Sequence, residues 1–338
     1  MQKIDMNYIA AKAGVSLSTV SRCIHSPHLV KESTKNKIQS IMQEYNYVYN
    51  AHAAEFSKKR TSMIGLIIPT VKSSIFAEFI DGIQNRLKTT SFSLTIGYSN
   101  YSKVDELNLI NVFLQRRFAG MIVVGVKDNT RAPLVSSVMN KSISVVSTWE
   151  DIQDDVISSV GFDNRKASYN MTKYLLSLGH RRIAIILGPY SQELRVKRRL
   201  QGYQDALEEK GIEIDPAYII ETVPTLFEGK AAMEHLLDLD VRPTAVFAAS
   251  DVLAMGAIKA VRDRNLKVPE DISIAGFDNI DHASYCNPPL TTVKVPAYEM
   301  GDLATQLLIT NIENDNKSHK RYCLDTDIII RESCMPLP

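Results

Sequence analysis

Between Ser16 and His25, in SLSTVSRCIH, four hydroxyl side chains and one arginine fall within ten residues. Small hydroxyl groups allow close approach to phosphates and base edges, and an arginine supplies the bidentate contact to guanine O6 and N7. Hydroxyl residues are also indifferent helix formers, because they compete for backbone hydrogen bonds. On a wheel of about 100° per residue, Leu17, Val20, Cys23 and Ile24 nevertheless share an arc of roughly 120°. Ser18, Ser21, Arg22 and His25 fall on the opposite side, with Thr19 beside them. A two-turn helix of this kind packs one thin apolar side on a neighbour and shows its polar side to something else. A DNA-reading helix and an ordinary helical hairpin with a solvated face both fit that wheel.

The elements that must hold this helix are also helices. Asp5 is placed to cap a first helix with Ile9, Ala10 and Ala13 on one face, and Gly14 and Val15 make the turn. Ser16 then caps the second helix to about Ile24. A third runs from about Glu32 to Tyr45, with Ile38, Ile41, Met42 and Tyr45 at helical spacing. Residues 1–60 carry nine Lys/Arg against four Asp/Glu, whereas the rest carries 30 against 34, so a net charge of +1 hides a basic head on a mildly acidic body. Such a head points to a polyanionic partner.

From TSMIGLIIP onward the pattern changes to strands alternating with amphipathic segments. The strands are expected at 63–69, 93–99, 120–126, 142–148, 157–163, 182–189, 218–222, 244–250, 272–278, 291–296 and 325–333. Several are continuous apolar runs, as in parallel strands buried on both faces, and the βαβ rhythm is that of doubly wound sheets. The units are too many for one sheet. A division near Val160 gives two similar halves, with a ligand cleft where the strands' C-terminal ends face each other.

No phosphate-binding glycine loop follows the first strand, and no catalytic triad or metal cluster is evident, which argues against an enzyme. No cofactor and no metal are expected. The four cysteines are scattered without CxxC spacing, so neither a zinc site nor a disulfide framework is indicated. No apolar run approaches membrane-spanning length, and MQKIDMNYIAAKAG lacks the apolar core of a signal peptide. A cytoplasmic protein with no membrane partner is expected.

YIAAKAGVSLSTVSRCIH, followed by VKESTKNKIQSIMQEYNYVYNAHAA, resembles the head of the LacI/GalR family of bacterial repressors. IGLIIP, GHRRIAIILGP, RRLQGYQDALEEKGI, TAVFAASDVLAMGAIKAV, VPEDISIAGFDN and PPLTTVKVP follow in that family's order and spacing. The resemblance implies an all-α helix-turn-helix head over residues 1–48 and a hinge helix and linker over 49–61. An α/β periplasmic-binding-protein-like core over 62–338 follows, for effector binding and dimerisation. The core would comprise two doubly wound parallel-sheet subdomains, an N-subdomain of about 62–160 plus 293–322 and a C-subdomain of about 161–292 plus 323–334. The partners implied are palindromic double-stranded operator DNA, a second copy of the chain and a small-molecule effector. The chain ends after its last strand without a heptad-bearing tail, so a homodimer is expected rather than a tetramer.

By that resemblance Leu17, Ser18 and Arg22 read bases. Tyr8, Ser16, Thr19, Ser21 and Asn50 position the head on phosphates, and Phe56 takes the place of the family's usual minor-groove leucine wedge. Phenylalanine is also an accepted wedge between base steps. Three further departures stand out. His25 replaces the usual asparagine, Tyr49 stands where proline precedes the hinge, and Glu55 sits among phosphates near Lys58, Lys59 and Arg60. An operator different from the common family consensus is therefore expected.

In the core, Arg199, Ser250, Asp251 and Asp278 match polar positions around the family's effector. Arginine with two carboxylates suits a polyhydroxylated ligand. Ser73, Ser74 and Phe76 face the cleft after the first strand. Trp149, the only tryptophan, and Phe162 offer walls on which a sugar ring or a purine would stack. Trp149 as ordinary core and Asp251 as a helix cap are alternatives that the sequence leaves open. IPTVKSSIFAEFIDGI, STWED and VGFDNRKASYNMT look closest to the gluconate-repressor branch, which implies a sugar or sugar-acid effector such as gluconate, with Arg199 or Lys72 near its carboxylate. A purine-like corepressor is the alternative, and a stand-alone solute-binding protein is disfavoured by the basic head.

Overall fold

A computed structural model of the chain describes residues 4–48, 61–125, 128–140, 143–150, 156–189, 193–314 and 319–337. They fall into two compact units, Met1–Thr61 and Ser62–Pro338.

The first unit holds three helices, α1 (Met6–Ala13), α2 (Leu17–His25) and α3 (Glu32–Glu44). Asp5 caps α1 by accepting the Tyr8 amide at 2.9 Å. Gly14, at φ 66°, takes the left-handed conformation that ends α1 and turns its N–H back to the Ala10 and Ala11 carbonyls. A side chain there would cost about 1 kcal/mol. Ser16 caps α2 through the Thr19 amide at 3.2 Å, satisfying one of the orphan donors of a helix start. Ile9, Ala10, Ala13, Val20, Cys23 and Ile38 close into one small core. Leu17 departs from the wheel. It lies on the edge of the apolar arc yet stays 42% exposed, because as the first residue of α2 it extends past the six side chains that meet.

In the second unit, β1 (Met63–Ile68), β2 (Ser93–Tyr98), β3 (Gly120–Val124), β4 (Ser144–Thr148), β5 (Ser158–Phe162) and β11 (Arg321–Leu324) form one sheet. Its order is β11-β5-β4-β3-β1-β2, parallel throughout. The second sheet has β6 (Ile183–Leu187), β7 (Ile219–Glu221), β8 (Ala245–Ala248), β9 (Ser273–Asp278), β10 (Thr291–Lys294) and β12 (Asp327–Ile329) in the order β12-β10-β9-β8-β6-β7. Only β12 runs antiparallel, against β10. β3, β4, β5, β6, β8 and β9 are buried along their whole length. The continuous apolar runs of β3, β6 and β8 therefore serve two faces at once.

Helices α4 (Ile75–Leu87), α5 (Lys103–Gln115), α6 (Asp128–Met139) and α11 (Ala297–Glu313) accompany the first sheet. With the second go α7 (Asn164–Ser177), α8 (Leu194–Glu209), α9 (Leu226–Leu237) and α10 (Asp251–Asp263). α7 and α8 approach so closely at Gly202 that an added Cβ would lie 2.0 Å from the Arg165 carbonyl oxygen. That contact fixes the register of α8, on which Arg199 sits one turn earlier. No helix among the described residues is long and apolar enough to cross a membrane.

Strand membership moves the expected subdomain divisions. Boundaries at 160, 292 and 322 would each cut a strand, namely β5, β10 and β11. The chain instead changes sheets after Phe162, after Lys294 and after Leu324, since a strand shared by two sheets would lose half its ladder bonds. The single strand expected over 325–333 shrinks to β12, and β11 before it was not foreseen. RYCL is four residues long, alternately exposed and half-buried at a sheet edge, too short and too polar to show a period.

Candidate functional site

Two groups of functional side chains emerge, one in each unit. In the head, Ser16 accepts the Thr19 amide and also shares hydrogen bonds of 2.8 Å with the Ser18 and Thr19 hydroxyls. Ser16, Ser18 and Arg22 are exposed, Thr19 and Ser21 half-buried, and Val20 and Cys23 buried behind them. No acidic residue sits in the first turn of α2. A helix N-terminus with free amides and hydroxyls, unopposed by a carboxylate, is a place where phosphate is stabilised. Leu17 stands exposed beside them, so the apolar contact that could meet a thymine methyl shares their surface.

Tyr8 is half-buried, its ring edge-on to Tyr45 at 5.3 Å. The Lys12 ammonium lies 5.6 Å from the Tyr8 centroid and 5.9 Å from that of Tyr45. The two phenols, Tyr45 foremost, hold the Lys12 ammonium above its ordinary range. Lys12 was missed by sequence reasoning, although its i,i+4 spacing from Tyr8 was a usable signal. His25 ends α2, and its side chain lies outside what is described. Asn50 and Phe56, with Tyr49 and Glu55, also lie outside the described residues.

In the core, the cleft is built from the C-terminal ends of strands in both sheets. Ser73 and Ser74 are half-buried at the start of α4, and Ser74 makes no capping bond there. Phe76 and Phe79 bracket Trp149 at centroid distances of 5.0 and 4.8 Å. Trp149 follows β4 in a left-handed conformation, φ 72°, and is only 1% exposed. The expected stacking wall is thus a buried ring, because two phenylalanines already occupy its sides. Phe162, at the end of β5, is likewise fully buried, 6.1 Å from Phe277.

Arg199 is the hub. Its guanidinium lies 3.7 Å from the Phe277 centroid. Its Nε donates to Asn164 Oδ1 at 2.9 Å and its Nη1 to the Ala249 carbonyl at 2.8 Å. Asn164 passes the link on, donating Nδ2 to the Trp149 carbonyl at 2.8 Å. One amide thus ties the end of β4 in the first sheet to α8 beside the second. Burial lowers Arg199 to about 10, opposed by the charge of Asp278. It remains a cation at neutral pH. Asp278, at φ 116°, is pushed up to about 6 by burial, with Arg199 and Arg195 pulling the other way.

Ser250 takes the capping role that the sequence left open for Asp251. Ser250 caps α10, accepting the Leu253 amide at 3.4 Å. Asp251 is completely buried and accepts from Thr292 Oγ1 at 2.5 Å and from the Ile280 amide at 2.8 Å. Its two oxygens hold β10 and the turn after Asp278, and it does not cap α10. Burial, with Asp278 nearby, holds Asp251 well above the ordinary carboxylate range.

Four cleft residues escaped sequence reasoning. Glu193 and Arg195 pair at 3.5 Å, both over nine-tenths buried. Tyr101 follows β2 in a left-handed conformation, φ 63°. Burial raises its phenol, within the fields of Arg195, Glu193, Asp278 and Arg199. Glu150, next to Trp149, is 2% exposed and pushed up to about 7 by burial. A charged residue directly after a strand end was the available signal. Among the described residues no group of three His, Cys, Asp or Glu side chains is placed to hold a metal ion.

Residues 5–50 match the family described as "Bacterial regulatory proteins, lacI family", and residues 172–334 match "Periplasmic binding protein-like domain". The HTH-type transcriptional repressor CytR of Escherichia coli (strain K12) is 35% identical over 335 residues, covering 98% of this chain and 97% of that protein. The solved transcriptional regulator CelR-cellobiose complex superposes with a TM-score of 0.72 at 28% identity, over 98% of this chain and all of that one. The Lac repressor dimer bound to operator and the anti-inducer ONPF shares the fold with a TM-score of 0.85 at 23% identity, over 99% of this chain.

Proposed function

The chain belongs to the lacI family of bacterial regulatory proteins, and from that premise we propose that it represses transcription as a homodimer on palindromic operator DNA. It is a DNA-binding regulator and not an enzyme, and it acts in the cytoplasm. The observation that carries this reading is α2, whose hydroxyls and Arg22 face outward while Val20 and Cys23 hold it to the head. In this reading Leu17, Ser18 and Arg22 read base edges in the major groove, and Ser16, Thr19, Ser21 and Tyr8 fix the register on phosphates. In the same reading Asn50 contacts phosphate and Phe56 is the minor-groove wedge.

The core takes a small polyhydroxylated effector, a sugar or sugar acid, between its two sheets. The effector acts only through its differential affinity for the DNA-competent arrangement of the core halves. Gluconate is the sugar acid that the sequence motifs put forward. Arg199, the arginine expected at its carboxylate, is engaged by Asn164, Ala249 and Phe277, and Lys72 is exposed.

A gel-shift assay with operator selected by the purified protein tests the whole reading. The full chain shifts the DNA, a sugar-type ligand changes the shift, and removal of residues 1–60 abolishes it while ligand binding persists. A full chain that selects no sequence sinks the proposal. Titration calorimetry against gluconate, neutral sugars and purines decides the ligand, and no heat from any sugar acid removes gluconate.

A further inference from the structure

Glu150 occupies an unusual position. It follows Trp149 at the end of β4, in the half of the core built on the first sheet, and is 98% buried by its 2% exposure. Its charged neighbours come from the other half. A backbone hydrogen bond from Arg195 reaches its carboxylate, and the charges of Arg198, Arg195 and Glu193 surround it, all at or near the first turn of α8. A helix start is a favourable place for one carboxylate oxygen, and Glu193, in the N-cap position of α8, makes no side-chain capping bond. The other oxygen, Oε2, is buried and has no hydrogen-bond partner among the described residues. An orphaned carboxylate oxygen is among the more costly groups a fold can bury. Here it stands between the two halves of the core, where the effector is proposed to enter.

The surrounding charges narrow what can approach Oε2. Glu150, Glu193 and Asp278 are three buried carboxylates. Arg195 is paired with Glu193, and Arg199 is held by Asn164, Ala249 and Phe277. A ligand carboxylate would add a fourth acid beside arginines that already have partners. A ligand hydroxyl or amine would instead supply the missing donor.

We infer that Glu150 is a specificity-determining residue of the effector site, accepting a hydrogen bond from a hydroxyl or amino group of the ligand and selecting neutral or amino sugars over sugar acids. The inference rests on the reading of the core as a sugar-type effector site and narrows it. Donation to Oε2 favours the ionised carboxylate, so ligand binding expels a proton from Glu150. Affinity then rises with pH until Glu150 is ionised in the free protein. Asp278, Arg199, Tyr101, Glu193, Arg195 and Arg198 share this field, so the dependence is assigned to Glu150 only if a substitution there removes it.

The test is titration calorimetry of the full chain with glucose, glucosamine, ribose, cellobiose, adenosine, gluconate and glucuronate, from about pH 5.5 to about pH 8. The strongest binder is expected among the neutral and amino compounds. Glu150→Gln, nearly isosteric, weakens it by about ten- to hundredfold, the loss expected for a hydrogen bond to a charged group, and flattens the pH dependence. Glu150→Asp weakens binding but keeps the pH dependence, which separates the role of the charge from a packing defect. Thermal melting of each variant shows that it is folded. A sugar acid that binds more tightly than its neutral counterpart overturns the inference. So does a neutral ligand bound equally well by Glu150→Gln, and either result leaves the effector reading standing. If none of the seven compounds binds, the effector reading fails and the inference fails with it.

Discussion

On α2, Ser18 and Arg22 stand exposed and serve little but what they touch, whereas in the core Arg199, Asp251 and Asp278 are at most 7% exposed and also hold the fold. Both surfaces use hydroxyls and arginine, and carboxylates join them only in the cleft. They differ in what happens when one group is lost. An exposed donor returns to water at small cost, while a buried one leaves partners without water or replacement. Affinity and stability are therefore separable in the head and coupled in the cleft.

The strongest way to break that contrast is Arg199→Met. Removing the guanidinium strands Asn164 Oδ1, the Ala249 carbonyl and the buried Asp278 together. Breaking one partner of a buried charged network costs about 3–5 kcal/mol. Denaturant unfolding of the full chain should show the core transition shifted by that amount, with the head unaffected. A shift below about 1 kcal/mol, the value of an exposed pair, would make Arg199 a ligand group without a scaffold role.

The same contrast sets what the sequence disclosed. The helical head was legible because Asp5, Gly14 and Ser16 are local signals acting within one turn, and because α2 sorts its side chains on a wheel. The strands buried on both faces were legible as apolar runs. The cleft was legible only as a set of positions. That Ser250 caps α10 while Asp251 reaches across to Thr292 and Ile280 depends on contacts over 29 and 41 residues of chain, which no local pattern encodes. Tyr101 and the Glu193–Arg195 pair left no such signal, since burial of a polar group leaves no period, and Glu150 showed only as a charge just after a strand end. β11 failed differently, as a four-residue edge strand with an ordinary polar composition.

The next largest effect sharpens the head's side of the comparison. Arg22→Ala removes an exposed side chain with no scaffold partner among the described hydrogen bonds and ion pairs. A bidentate base contact is worth about 1–3 kcal/mol, or roughly five- to 150-fold in affinity for the correct operator. Operator binding should fall by that factor and non-specific binding far less, while the unfolding curve stays within about 0.5 kcal/mol of the original. Equal losses on specific and random DNA would make Arg22 a phosphate contact.

Acid titration separates the two regions again, with a smaller signal. Burial pushes Asp278 up to about 6 from 3.8, so the folded core binds this proton more tightly than the unfolded chain does. Between about pH 4 and about pH 6 the native state holds the extra proton, and this group's contribution to stability falls as pH rises through that window. The slope is at most about 1.4 kcal/mol per pH unit. Asp205 and Asp238, held low chiefly by hydrogen bonds from Arg165 and Arg264, act in the opposite sense. The readout is therefore the difference between wild type and Asp278→Asn. Relative to the variant, wild type should lose stability from about pH 4 to about pH 6 and then run parallel to it. Curves parallel throughout would mean that Asp278 is solvated in solution.

The smallest change tests whether the head's separability is complete. Ser16 is the one exposed hydroxyl that also has a structural duty, capping α2 through the Thr19 amide while bonding the Ser18 and Thr19 hydroxyls. Ser16→Ala should cost about 1 kcal/mol of head stability through the lost cap, and should weaken operator binding by freeing Ser18 and Thr19 to reorient. Ser16→Asp restores the capping oxygen but places a carboxylate where a phosphate is proposed to sit. It should recover the stability and bind DNA more weakly than the alanine variant. If the aspartate variant binds DNA as well as wild type, Ser16 is a cap and nothing more, and the phosphate site at the start of α2 lies elsewhere on the head.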